Sequence, residues 1–190
     1  MAFEREKKAA IEAVLKACRL CSEVQRTLVT ADTMEKKDKS PVTIADFGSQ
    51  AVVDKALMAA FPGDALVGEE DAAYLRDPAN APLKSKLMEL IGKFQPGVSE
   101  SDVLNAIDCG ARVCDFKGRY WTLDPIDGTK GFLRGEQYAI ALALVEKGEL
   151  KVGVLGCPNL PLDAKNPSSG KGCIFYAVKG EGACVRSLDT

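Results

Sequence analysis

The last third of the chain constrains the fold most. Four apolar, β-rich runs follow one another: Tyr138–Val145, Leu150–Leu155, Cys173–Val178 and Ala183–Val185. Lys147-Gly148-Glu149 separates the first pair and Lys179-Gly180-Glu181-Gly182 the last, short Gly-containing connections of the hairpin kind. Pro158 to Gly172 is rich in Pro, Ser, Gly and Asn and reads as a loop. Strands joined in this way form an antiparallel meander, and such a sheet must cover at least one face.

The first half of the chain offers that cover. Residues 3–30 read as one amphipathic helix, because Ile11, Val14, Cys18, Cys21, Val24 and Leu28 recur at three- and four-residue steps. Glu35 to Lys39 breaks the pattern as a solvated loop, and Ser40-Pro41 reads as a turn or extended step. A second helix is expected from Asp46, acting as its N-cap, to Phe61. Ala65–Gly68 and Tyr120–Leu123 read as short strands, the latter ending at Asp124. Between them the pattern is weak: Leu83–Phe94 suggests a helix, and Gln95–Asp102 a polar loop. The expected class is α+β, a layered sandwich with N-terminal helices on a largely antiparallel sheet, with residues 1–190 forming one domain.

Composition narrows the chemistry. The chain contains no histidine, which excludes Ser–His and Cys–His nucleophilic pairs and His-ligated zinc. Carboxylates, hydroxyls, lysines, thiols or a hard metal ion must do any chemistry. A formal net charge of -2 is unlike that of a general nucleic-acid binder, and no apolar run approaches the roughly 20 residues that span a bilayer. Neither nucleic acid nor membrane is therefore expected as a partner. Residues 1–8 alternate acids and bases, unlike a secretory signal, and Glu4, Glu6 and Glu12 are unlike an acid-poor transit peptide. The expected compartment is the cytoplasm, with plastid and mitochondrion left open. Of seven cysteines, Cys18 and Cys21 fall on the apolar stripe of the first helix and read as buried thiols. Cys109 and Cys114 are a poor match to a zinc knuckle; a regulatory disulfide near them is an open expectation.

Three acidic motifs can carry chemistry. Asp124-Pro125-Ile126-Asp127-Gly128-Thr129 sets two carboxylates three residues apart, where Pro125 stiffens the chain and Gly128 permits close backbone approach. Such oxygen-rich sets suit Mg²⁺, and the amides of Gly128 and Thr129 could hold a phosphate oxygen. Glu69-Glu70 follows a short apolar strand, and Asp46 follows Pro41-Val42-Thr43-Ile44-Ala45. Taken singly, these read rather as a capped turn, a solvated strand end and a helix cap.

Taken together, Ser40–Asp46, Val67–Glu70 and Trp121–Thr129 resemble, in order and spacing, the lithium-sensitive metal-dependent phosphomonoesterases of the inositol monophosphatase superfamily. Lys130-Gly-Phe-Leu-Arg-Gly-Glu-Gln-Tyr138 and Gly156-Cys-Pro-Asn-Leu-Pro161 look like its bisphosphate nucleotidase branch, particularly the plant-type members. The resemblance runs from residue 3 to about residue 185. It implies Glu69, Asp124 and Asp127 as side-chain ligands of Mg²⁺, with the Ile126 carbonyl as a further ligand. Thr129, polarised by Asp46, would orient the attacking water, and Gly128 with Thr129 would hold phosphate. Glu70 would stand behind the ligands. The implied substrate is a small phosphorylated nucleotide, adenosine 3′,5′-bisphosphate or 3′-phosphoadenosine 5′-phosphosulfate, handled in sulfur assimilation and nucleotide recycling. An inositol phosphate is the alternative substrate, and a non-catalytic metal-binding fragment the alternative role. The family's later Trp-Asp motif has no counterpart here, since Trp121 is the single tryptophan and Thr122 follows it. A C-terminal α/β domain is thus expected to be absent. Either that domain or a second copy is expected against the face it would leave open.

Overall fold

In the computed structural model, which describes residues 2–29, 40–110, 117–163, 165–166 and 170–189, the meander is real and is extended at its front edge. Strands β2 (Arg119–Asp127), β3 (Ala139–Glu146), β4 (Glu149–Pro161), β5 (Lys171–Val178) and β6 (Gly182–Ser187) pair antiparallel in sequence order. Strand β1 (Ala65–Val67) joins parallel to β2, giving a mixed six-stranded sheet. The β3–β4 connection is tight: Glu146 faces Glu149, and both Lys147 (φ 55) and Gly148 (φ 74) lie in the left-handed region. That pair of signs belongs to a two-residue turn whose twist matches the flanking strands.

One face of this sheet is covered by α1 (Glu4–Leu28) and α2 (Ser40–Ala60). Helix α1 lies across β3, β4 and β5 and along α2, which rests on β2. The stripe read from the sequence is the buried one: Ile11, Val14, Cys18, Cys21 and Val24 all lie in the core. Cys18 and Cys21 are free thiols, and Cys21 Sγ donates to the Ala45 carbonyl at 3.9 Å. The core continues through Phe47, Leu57, Trp121, Ile140, Leu142, Val154 and Ile174. The expected loop at Glu35–Lys39 and the thiol of Cys114 lie outside the described residues. No helix among the described residues is long and apolar enough to cross a membrane.

Four local expectations need correction. The Pro158–Gly172 loop is shorter than the sequence suggests, because β4 runs to Pro161 and β5 starts at Lys171. Helix α2 starts at Ser40, so Asp46 sits inside a helix and does not cap one. Pro41 explains the difference: in a first helical turn its missing N–H costs nothing, and its fixed φ suits the helix. Gln95–Asp102 is not wholly loop, because helix α5 (Glu100–Cys109) begins inside it. Ser99 caps that helix reciprocally with Asp102, whose backbone N–H donates to Ser99 Oγ at 3.1 Å. Helix α4 (Ala81–Phe94) and the short α3 (Ala73–Arg76) fill the remaining stretch. Finally, β2 does not end at Asp124 but runs to Asp127.

The start of β2 is pinned. Arg119 donates to Asp64 through Nε at 2.9 Å and to Glu6 through Nη1 at 3.1 Å, and Trp121 Nε1 donates to Asp64 at 2.9 Å. The first strand of the meander is thereby tied to the beginning of α1 and to the turn after α2. The other sheet face is open among the described residues. The cross-strand row Asp124–Ala141–Leu155–Phe175–Val185 runs over it, and Leu150, Leu155 and Val185 are exposed. Asp124, Ala141, Leu150, Leu155 and Phe175 line an apolar groove of about 490 Å³ that reaches Thr122.

Helix α1 approaches β4 so closely that a Cβ at Gly156 would land on Cys18 Sγ and Val14 Cγ1. Gly156→Ala should therefore lower stability by about 1–3 kcal/mol in urea unfolding, the usual range for overpacking. Adding Cys18→Ala should recover part of the loss. An unchanged midpoint in Gly156→Ala would contradict this packing.

Candidate active site

Three elements deliver five carboxylates to one corner. Helix α2 carries Asp46; the segment leaving β1 carries Glu69 and Glu70; the end of β2 carries Asp124 and Asp127. In an ordinary strand, residues three apart point to opposite faces. Here Asp124 faces Ala141 and Asp127 faces Ala139, so three steps on β2 match two on β3. This is a β-bulge, which holds an additional residue and re-aims the side chains around it. Because Ala139 and Ala141 share a face, so do Asp124 and Asp127. Pro125 is tolerated at such a position because the ladder is already interrupted. Pro125 and Ile126 are buried, whereas Asp127, Gly128 and Thr129 are exposed.

Past the bulge, Gly128 turns the chain in the left-handed region (φ 94) and Thr129 opens the short helix α6 (Thr129–Leu133). Helix α2 packs on α6, which brings the helix of Asp46 against the helix that starts with Thr129. The return loop is fastened by side chains. Gln25 Nε2 donates to the Phe132 carbonyl at 2.9 Å, and Asn159 Nδ2 donates to the Glu136 carbonyl at 2.6 Å and to Gln25 Oε1 at 2.8 Å. The two segments Lys130–Tyr138 and Gly156–Pro161 are thus one physical unit.

The acids act on one another. Burial, followed by the charges of Glu70, Glu69 and Asp124, pushes the Asp46 carboxyl up to about 8. Burial raises Glu70 as well, with Glu69 and Asp71 adding to it. Burial and then Glu69 and Asp127 raise Asp124, against a lowering backbone hydrogen bond from Ile126. Among the described residues, the charges that shift these three groups are all acidic. Asp124 Oδ1 is buried and accepts no hydrogen bond among the described residues. A buried, unpaired carboxylate oxygen among like charges is costly, and a hard cation removes that cost. The donor set therefore fits a divalent ion by charge and by atom type. No three of the described acidic or thiol groups are already drawn together as ligands of one ion.

Sequence reasoning missed Gln50, one turn after Asp46 on α2. It is fully buried and its carboxamide bonds the backbone of Glu70 in both directions. No local signal marks it, since a glutamine in an apolar helix segment declares itself only through its distant partners.

An acidic corner at the rim of a helix-covered sheet, built from a strand ending in Gly-Glu-Glu and a bulged Asp-Pro-Ile-Asp-Gly-Thr strand end, belongs to a known architecture. Residues 3–190 match the model of the inositol monophosphatase family, and the chain is a member of that family. It is 45% identical over 207 residues to 3′(2′),5′-bisphosphate nucleotidase 1 of Arabidopsis thaliana, covering 100% of this chain and 59% of that protein. It is also 45% identical over 203 residues to 3′(2′),5′-bisphosphate nucleotidase of Schizosaccharomyces pombe, covering 99% of this chain and 57% of that one. The chain thus spans less than two thirds of the length of these relatives. Among solved structures, an inositol monophosphatase from Zymomonas mobilis shares the fold with a TM-score of 0.56 and 22% identity, over 98% of this chain and 52% of that one. CysQ from Bacteroides thetaiotaomicron does so with a TM-score of 0.52 and 22% identity, over 98% of this chain and 50% of that one.

The acid cluster gives stability a pH dependence. Asp46 releases its proton near pH 8 when folded but at an ordinary 3.8 when unfolded, so the folded chain holds that proton more tightly between those values. The stability this contributes is full below about pH 4 and is lost as pH rises through about 8. In a chelating buffer the thermal midpoint should fall over that window, and Asp46→Asn should flatten the fall. A midpoint that rises with pH across the window in the wild-type chain would contradict the assignment.

Proposed function

We propose that this chain forms the metal- and phosphate-binding part of a phosphomonoesterase that removes the 3′-phosphate of adenosine 3′,5′-bisphosphate, yielding AMP and phosphate. The observation that carries this reading is the buried, unpartnered Asp124 Oδ1 within a set of five mutually acting acids. The names of the relatives supply the substrate class, and 3′-phosphoadenosine 5′-phosphosulfate offers the same 3′-phosphate to the same site.

In this reading Glu69, Asp124, Asp127 and the Ile126 carbonyl would hold Mg²⁺. Bound there, Mg²⁺ offsets phosphate charge and makes a coordinated water more acidic. The chain's own groups do the rest. Thr129 at the start of α6 orients the attacking water through its hydroxyl, and Asp46 on α2 accepts the hydroxyl proton in a hydrogen bond. The Gly128 and Thr129 amides steady a phosphate oxygen. Attack by water breaks the bond between phosphorus and the 3′ oxygen, which leaves with a proton as the nucleoside hydroxyl. Lithium, competing for a hard oxygen site, is expected to inhibit.

The site carboxylates Asp124 and Asp127 stand on the open sheet face, so whatever covers that face also walls the site. We assign that role to a second domain of the size the relatives' additional length allows. An apolar face left open is an association liability, so pairing of two copies is the competing outcome in sedimentation of the 190-residue chain.

Mg²⁺ at millimolar concentration should raise the thermal midpoint of this chain, because an ion that binds only the folded state stabilises it. Asp127→Asn should abolish that stabilisation and Thr129→Ala should leave it intact. Equal loss in both variants would refute the division of labour. Joining residues 1–190 to the remaining portion of the Arabidopsis thaliana relative should give phosphate release from adenosine 3′,5′-bisphosphate in preference to inositol 1-phosphate. The reverse preference would overturn the substrate assignment.

A further inference from the structure

We infer that Gln50 is a positioning residue that fixes the direction of Glu69 and Glu70, acting through their backbone and never touching substrate. The inference rests on the metal-site reading above.

Gln50 is buried completely, and its side-chain amide is fully engaged. Nε2 donates to the Glu70 carbonyl at 2.6 Å and to the Ile107 carbonyl at 2.7 Å, while Oε1 accepts from the Glu70 N–H at 3.0 Å. The amide thus pairs with Glu70 as one peptide unit pairs with another in a sheet, and it ties that pair to the end of α5. Beside it, the Gly68 N–H donates to the Gly110 carbonyl at 2.9 Å. Glu69 therefore sits between two residues whose backbones are both held.

Two glycines are explained by the same side chain. Neither Gly68 nor Gly110 has a positive φ, so neither is needed for backbone conformation. A Cβ at Gly68 would land on Gln50 Oε1, and one at Gly110 would land on Gln50 Nε2. Both positions are small because the carboxamide occupies the space. An apolar side chain of similar volume could fill this pocket, but it would leave the N–H and carbonyl of Glu70 without their Gln50 partner, while the Ile107 carbonyl keeps the Gly110 N–H. Such fully satisfied buried polar groups select one arrangement among several of similar compactness. The arrangement selected here links two acids to a third. Asp46 and Gln50 are four apart on α2 and share a helix face, so the helix that presents the Asp46 carboxylate also sets the segment of Glu69 and Glu70.

The test uses the full 190-residue chain, with Mg²⁺ alone as the probe, and reads both metal affinity by calorimetric titration and amide hydrogen exchange. Gln50→Met should speed exchange across residues 68–71 at least tenfold, leave α1 and β3–β5 unchanged, and weaken Mg²⁺ at least tenfold. Leu57→Ala, a core truncation elsewhere on α2, should lower the thermal midpoint while leaving both readouts alone. Gly68→Ala and Gly110→Ala, which displace the same carboxamide from two other segments, should reproduce the Gln50→Met pattern and carry the test if Gln50→Met does not fold. Wild-type exchange and Mg²⁺ affinity in Gln50→Met would overturn the inference, as would equal weakening of Mg²⁺ by Leu57→Ala. Absence of Mg²⁺ binding by the wild-type chain would instead overturn the metal-site reading, and the exchange result would still decide whether Gln50 holds the acidic segment.

Discussion

The bulge in β2 is the constraint on which the site depends. A regular strand would point Asp124 and Asp127 to opposite faces and would leave no cluster to neutralise. Interrupting a ladder costs hydrogen bonds, so the rest of the strand must be secure. It is: β2 is paired on both sides, parallel to β1 and antiparallel to β3, and its first residues are held by Asp64 and Glu6 through Arg119 and Trp121. The strand has a fixed end and a re-aimed end. The fixed end is tied to the start of α1 through Glu6 and to the turn between α2 and β1 through Asp64.

Charge is arranged on the opposite principle. Surface ion pairs such as Lys7–Glu4 and Arg26–Glu23 are exposed and of small energetic consequence. In the corner, the charges that shift Asp46, Glu70 and Asp124 are all acidic among the described residues. Natural domains place such destabilising groupings where a ligand compensates. What keeps the corner from relaxing is neutral: the carboxamide of Gln50, the Gln25–Asn159 pair and the buried Pro125–Ile126 segment.

How much of this was legible varies with the range of the signal. The meander was readable because Lys147-Gly148 and the Gly180–Gly182 stretch punctuate strands of strict apolar character, and α1 because its buried stripe from Ala10 to Val24 is periodic over about four turns. Motif order alone identified the family. The errors came from residues with two local meanings. Pro41 reads as a turn but fits a first helical turn, so the sequence pattern places the start of α2 too late. Pro125 reads as a strand stop but is accommodated at a bulge, so β2 was ended too early. Ser99 and Asp102 are polar enough to pass for loop, though their three-residue spacing is a helix start. Gln50 was illegible in principle, because its meaning lies in Gly68, Glu70, Ile107 and Gly110, which no local window contains.

The contact of Gly156 with Cys18 has a consequence for how such sequences can drift. The thiol occupies the volume that a side chain at residue 156 would need, so the two positions share one allowance of space between α1 and β4. Interiors are packed too densely to absorb a methyl group unnoticed. Across descendants of this sequence, positions 18 and 156 should therefore vary as a pair, with a larger residue at one accompanied by a smaller residue at the other. A lineage that changed only one of them would have to pass through a less stable intermediate.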